Sequence, residues 1–116
     1  MSELTEAAWM PYIAKRMGFE AKLEIYENKP RCVIKTKSRN WRVFNILTNP
    51  ADCLAAIRWL GDEHGLAIMP LGKGYWGVII MNYAVSSDAA NLHWANTGWT
   101  LEQAVFKAAK RMVGDE

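Results

Sequence analysis

The chemistry-bearing residues of this 116-residue chain are few and scattered. Cys32 and Cys53 are the only cysteines, and His64 and His93 the only histidines. A thiolate beside an imidazole makes a nucleophilic pair, but only if the fold brings the two together. No spacing of cysteine, histidine and carboxylate matches a zinc site. Asp62 and Glu63 are adjacent in a helical stretch and point in different directions, so they make no catalytic pair. Gly72, Gly74 and Gly77 have the spacing of a dinucleotide-binding loop. That loop needs a helix after it to present its N-terminus to a pyrophosphate. Here Val78 to Met81 follow and read as strand, so a glycine-rich hairpin is expected. These residues predict a non-enzymatic protein with no metal and no cofactor.

The remaining candidate is a charge pattern. Lys29 to Arg42 holds Lys29, Arg31, Lys35, Lys37, Arg39 and Arg42 and no acidic residue. The stretch carries +6 in a chain of net charge +2, leaving −4 for the rest. Strand alternation puts Arg31, Lys35 and Lys37 on one face. Trp41 stands beside the tip Ser38-Arg39-Asn40. Cations with an aromatic neighbour suit a phosphate backbone and a stacked base. They equally suit an acidic protein surface, with Trp41 and Arg39 as anchors. Lysines also guard exposed strand edges in ordinary sheets. The candidate partner-binding residues are therefore Arg31, Lys35, Lys37, Arg39, Trp41 and Arg42.

The elements that must position them follow from local signals. A first helix is expected over Leu4 to Met17, with Pro11 either kinking it or lying in its first turn. Gly18 is its stop. Strands are expected at Ala21–Glu27, Arg31–Lys37 and Trp41–Leu47, with turns at Asn28-Lys29-Pro30 and Ser38-Arg39-Asn40. Asn49 caps a second helix, with Pro50 at its first position and Gly65 after its end. Leu54, Ile57 and Leu60, with Ala51 or Ala55, form its expected buried face. Strands follow at Leu66–Leu71, Tyr75–Tyr83 and Leu92–Asn96, with a polar loop over Ala84–Asn91. Tyr75, Trp76, Val78, Ile79, Ile80 and Met81 make a strand apolar on both faces, which reads as a central strand covered on both sides, the alternative being one face exposed for a partner or a dimer. Thr100 and Gln103 make a capping box for the last helix, whose stripe is Leu101, Val105, Ala108 or Ala109, and Met112.

The fold class is thus α+β, in the order α-β-β-β-α-β-β-β-α, with antiparallel sheets and helices packed on one face. One domain of residues 1–116 is expected, built from two αβββ units over about 1–48 and 49–98 with a closing helix over 100–113. Its composition, 51% apolar and 22% charged, is that of a globular chain. Met1 to Glu6 contains no apolar leader, and no apolar run approaches the 18 residues of a membrane span. Together with two unpaired thiols, this predicts a cytoplasmic protein away from membranes, monomeric or homodimeric. The six tryptophans serve either a core or a binding surface.

Two resemblances add to this reading. The order helix, three strands, helix over Ala51–Met112 is shared by double-stranded RNA-binding domains, which open their last helix with lysines. Here that helix opens Thr100-Leu101-Glu102-Gln103, with Lys107, Lys110 and Arg111 further on, a departure that argues against RNA on that face. Asn49-Pro50-Ala51-Asp52-Cys53-Leu54-Ala55-Ala56 and the closing Leu101-Glu102-Gln103-Ala104-Val105 resemble small phage- and prophage-encoded proteins of an α/β sandwich type. That resemblance implies an accessory protein in a bacterial cytoplasm, acting by occupying a host enzyme or defence complex. The expected function is an inhibitor working through protein–protein contact on the basic meander. Direct DNA or RNA binding by the same residues is the alternative.

Overall fold

The computed structural model describes residues 6–80, 96–98 and 100–114. The element order is α1 (Glu6–Arg16), β1 (Ala21–Tyr26), β2 (Lys29–Lys35), β3 (Trp41–Val43), α2 (Pro50–His64), β4 (Leu66–Gly72), β5 (Tyr75–Ile80), β6 (Asn96–Gly98) and α3 (Leu101–Gly114). The fold is α+β, with two antiparallel three-stranded sheets ordered β1-β2-β3 and β4-β5-β6. Chain contacts divide it into two compact units, Met1–Asn45 and Ile46–Glu116.

In the first unit α1 runs through Pro11, which is buried with Met10, Ile13 and Ala14. The helix ends in a Schellman turn. Gly18, at φ 102°, donates its amide to the Lys15 carbonyl, and Phe19 donates to the Ala14 carbonyl. That turn delivers Phe19 against Phe44, ring centres 5.9 Å apart. The β1–β2 turn differs from the sequence reading. It is a two-residue loop, Glu27-Asn28, with both φ positive at 51° and 63°. This is the mirror-image turn whose twist matches a hairpin. Pro30 therefore lies inside β2 rather than in the turn. It sits opposite Ile25 at a position where its nitrogen points away from β1, and β3 does not extend far enough to need a donor there. Strand β2 ends at Lys35, which places Lys37 in the next turn instead of on the strand face.

Register divides this sheet into two faces. Ala21, Leu23, Ile25, Pro30, Cys32, Ile34, Arg42 and Phe44 share one face. Its buried members (Ala21, Cys32, Ile34 and Phe44) form the core with α1. Lys22, Glu24, Tyr26, Lys29, Arg31, Val33, Lys35, Trp41 and Val43 share the other.

In the second unit Asn49 Oδ1 accepts the Ala51 amide at 2.9 Å, and α2 stops at Gly65 with φ 77°. The buried face of α2 keeps Leu60 from the expected stripe and otherwise differs from it. Asp52, Cys53, Ala56, Trp59 and Leu60 are buried, whereas Leu54 is 48% exposed. Helix α2 packs against α3, whose Ala104, Ala108 and Ala109 are buried, and the face of α2 that is buried runs through the small residues Cys53 and Ala56, which leaves Leu54 outward. Gly72 and Gly74 flank Lys73 in a β4–β5 hairpin with φ of 93°, 81° and 52°. The glycine spacing thus belongs to a hairpin followed by strand. Strand β5 is central in its sheet, and Val78, Ile79 and Ile80 are buried. The third strand of this sheet is Asn96–Gly98, and the Leu92–Ala95 part of the expected strand, the loop over Ala84–Asn91 and Met81–Tyr83 lie outside the described residues. Thr100 Oγ1 accepts the Gln103 amide at 3.1 Å to start α3.

Candidate functional site

Strand β2 and the turn after it carry the predicted site. Arg31, Lys35 and Trp41 share the polar face of the first sheet. Lys37 and Arg39 stand at the β2–β3 tip. Arg42 departs from the group: it lies opposite Ile34 on the other face, with Nη1 donating to the Val43 carbonyl at 3.1 Å. Alternation along β3 makes this unavoidable once Trp41 faces the other way.

Sequence reasoning missed the contribution of β1. Glu24 is the register partner of Arg31, and its Oε2 lies 2.6 Å from both Nε and Nη2 of the guanidinium. Glu20 Oε2 lies 3.7 Å from Lys35 Nζ. Two of the six cations are therefore matched by carboxylates that the Lys29–Arg42 window does not contain. Over residues 20–43 seven basic and three acidic side chains leave a net +4.

Aromatic rings also partner two of the cations of this face. Arg31 Cζ lies 4.0 Å from the centre of the Tyr26 ring, and Lys22 Nζ lies 4.4 Å from the centre of the Trp41 ring. Lys22 is opposite Val33, and Trp41 belongs to β3. The Lys22 stem therefore crosses above Val33, which is only 2% exposed, to reach the indole. Tyr26 is 52% and Trp41 39% exposed, so each ring is held by a cation and still offers surface. Both Lys22 and Tyr26 were within reach of the sequence: they alternate with Leu23 and Ile25, and Asn28 marks the turn that folds β1 onto β2.

The tip is tightly built. The Arg39 amide donates to the Thr36 carbonyl and the Thr36 amide to the Asn40 carbonyl, at 2.9 and 2.8 Å. Thr36 Oγ1 and Ser38 Oγ share a 2.9 Å hydrogen bond. Arg39 has φ 67°, a left-handed conformation that glycine or asparagine adopts more readily.

The cysteines behave as packing residues. Both are free and buried. Burial, and secondarily the Glu102 carboxylate, push the Cys53 thiol from 9.0 up to about 11. A nucleophilic cysteine needs the opposite shift. The native state holds the proton between those values while the unfolded state releases it. Stability should therefore fall as pH rises from 9 to 11, by roughly 2–3 kcal/mol from this group. Urea midpoints across that window should show a shallower decline in Cys53→Ala than in the native chain. His64 Nε2 lies 3.6 Å from Glu63 Oε2 at the end of α2, and His93 lies outside the described residues. Among the described residues no group of three metal-ligating side chains gathers, and no helix is long and apolar enough to cross a membrane.

No family model, curated protein or solved structure matches this chain. The geometry of the sheet face carries the functional argument.

Proposed function

We propose that this is a non-enzymatic binding protein whose basic, aromatic sheet face engages an acidic protein surface. The observation that carries the reading is the pairing of cations with half-exposed rings, Lys22 on Trp41 and Arg31 on Tyr26. Such pairs hold two large anchors and two charges in one geometry, which lowers the ordering cost of association. They also oppose nucleic-acid recognition. A base stacks on a free ring face, and Trp41 already carries an ammonium over its ring. Neutralisation of Arg31 and Lys35 by Glu24 and Glu20 further thins the charge a phosphate backbone would meet. The resemblance to phage-encoded proteins extends the proposal to a host defence or nucleic-acid-handling complex in a bacterial cytoplasm as the partner, occupied by an inhibitor.

The test uses two variants in affinity capture from bacterial lysate, beside titrations with single- and double-stranded DNA and RNA at physiological salt. Trp41→Ala should weaken the captured complex by about 2 kcal/mol or more, roughly thirtyfold. Arg39→Gly should weaken it too, while raising thermal stability by about 1 kcal/mol as the left-handed strain is relieved. Nucleic-acid binding that survives physiological salt, and disappears when Arg31, Lys35, Lys37 and Arg39 are alanine, would overturn the protein-partner reading in favour of direct DNA or RNA binding.

A further inference from the structure

We infer that the outer edge of β1 pairs with β1 of a second copy, forming a two-fold dimer around a continuous six-stranded sheet. Strand β1 is an edge strand: among the described residues only β2 pairs with it. The hydrogen-bond phase of the β1–β2 pair is set by the Lys35 amide, which donates to the Glu20 carbonyl. Lys22, Glu24 and Tyr26 then face β2 with their backbone groups, and Ala21, Leu23 and Ile25 turn theirs outward. Three consecutive outward-facing residues form a template for another strand.

Their side chains say which strand. Leu23 is 44% and Ile25 69% exposed, on the same face as α1. An antiparallel self-pairing must match outward-facing residues with each other, which leaves three registers with substantial overlap. Centred on Lys22, it sets lysine against lysine. Centred on Glu24, it sets glutamate against glutamate. Centred on Leu23, it sets Lys22 against Glu24 of the second copy twice over, Leu23 against its own equivalent, and Ile25 against Ala21 of the second copy. Only this last register is complementary in charge, and it has the longest overlap. It also carries exposed Ile25 beside Ala21 of the other chain, which is already buried under that copy's α1. Glu24 keeps Arg31 on its inner side and accepts Lys22 of the second copy on its outer side, since a carboxylate has lone pairs for both. The contact is the same patch on both copies, so association closes at two.

Sedimentation of the full chain over roughly 1 µM to 1 mM tests this. The native chain should show a concentration-dependent monomer–dimer equilibrium. Lys22→Glu and Glu24→Lys each create like-charge pairs in the self-complex, and each should raise the dimer dissociation constant by about tenfold or more. An equimolar mixture of the two variants restores opposite charges at both positions and should recover association. Recovery also shows that both variants fold. A native chain that stays monomeric throughout overturns the inference and leaves the edge to a strand of another protein. A dimer indifferent to Lys22→Glu, or variants that do not recover on mixing, overturns it equally.

Discussion

Gly98→Ala should destabilise the protein by about 2–3 kcal/mol, the range of overpacking a close-packed site. Gly98 is the last residue of β6, paired with Trp76 of the central strand and buried against the first turn of α3. A Cβ there would lie 2.7 Å from Gln103 Cβ, 2.9 Å from the Ala104 nitrogen and 3.1 Å from the Gln103 carbonyl carbon. Two of those atoms are backbone, so no rotamer change relieves the clash. Either α3 moves off the sheet or β6 leaves β5. Gly61 provides the contrast. It lies inside α2 with nothing within 4 Å of an added Cβ. Gly61→Ala should stabilise by about 0.5–1 kcal/mol through helix propensity alone. Paired urea denaturations would show the two midpoints moving in opposite directions. A Gly98→Ala midpoint within error of the native chain would mean that β6 and α3 do not pack as described.

Asp52→Ala should cost about 3 kcal/mol, the loss expected when one member of a buried polar interaction is removed. Asp52 is fully buried, the one charged side chain in the core among the described residues. It stands in the first turn of α2, two residues after Pro50 and three after the Asn49 cap. A carboxylate there faces the positive end of the helix dipole, which makes burial tolerable. Alanine removes that carboxylate and leaves its interaction partners buried without it. Asp52→Asn keeps the volume but puts an amide where two acceptors stood, so it should fall between alanine and the native residue. Chemical denaturation with an unchanged slope would measure both. A loss below about 1 kcal/mol for alanine would show that the carboxylate is not holding the α2 N-terminus.

Much of this was legible because it is local. Asn49-Pro50 starts α2, Gly18 and Gly65 stop α1 and α2, Thr100 starts α3, and alternation marks the strands. Pro30 shows where local reading misleads. A proline after Asn28-Lys29 reads as a turn, yet β3 is too short to need a donor at that place, so β2 accommodates it. In α2 two apolar stripes compete, one through Leu54 and one through Cys53 and Ala56. Propensity cannot choose between them; packing against α3 does.

The candidate site divides along the same line. The residue types, the α+β order and a basic stretch from Lys29 to Arg42 are determined by the sequence itself, since each depends on neighbours a few positions away. The electrostatics of the face were decided by pairing. Glu24 meets Arg31 across seven residues, Lys22 reaches Trp41 across nineteen, and Arg42 turns away because β3 alternates against β2. Those relations exist only once the hairpin register is set, and register is a cooperative property of two strands and the core beneath them.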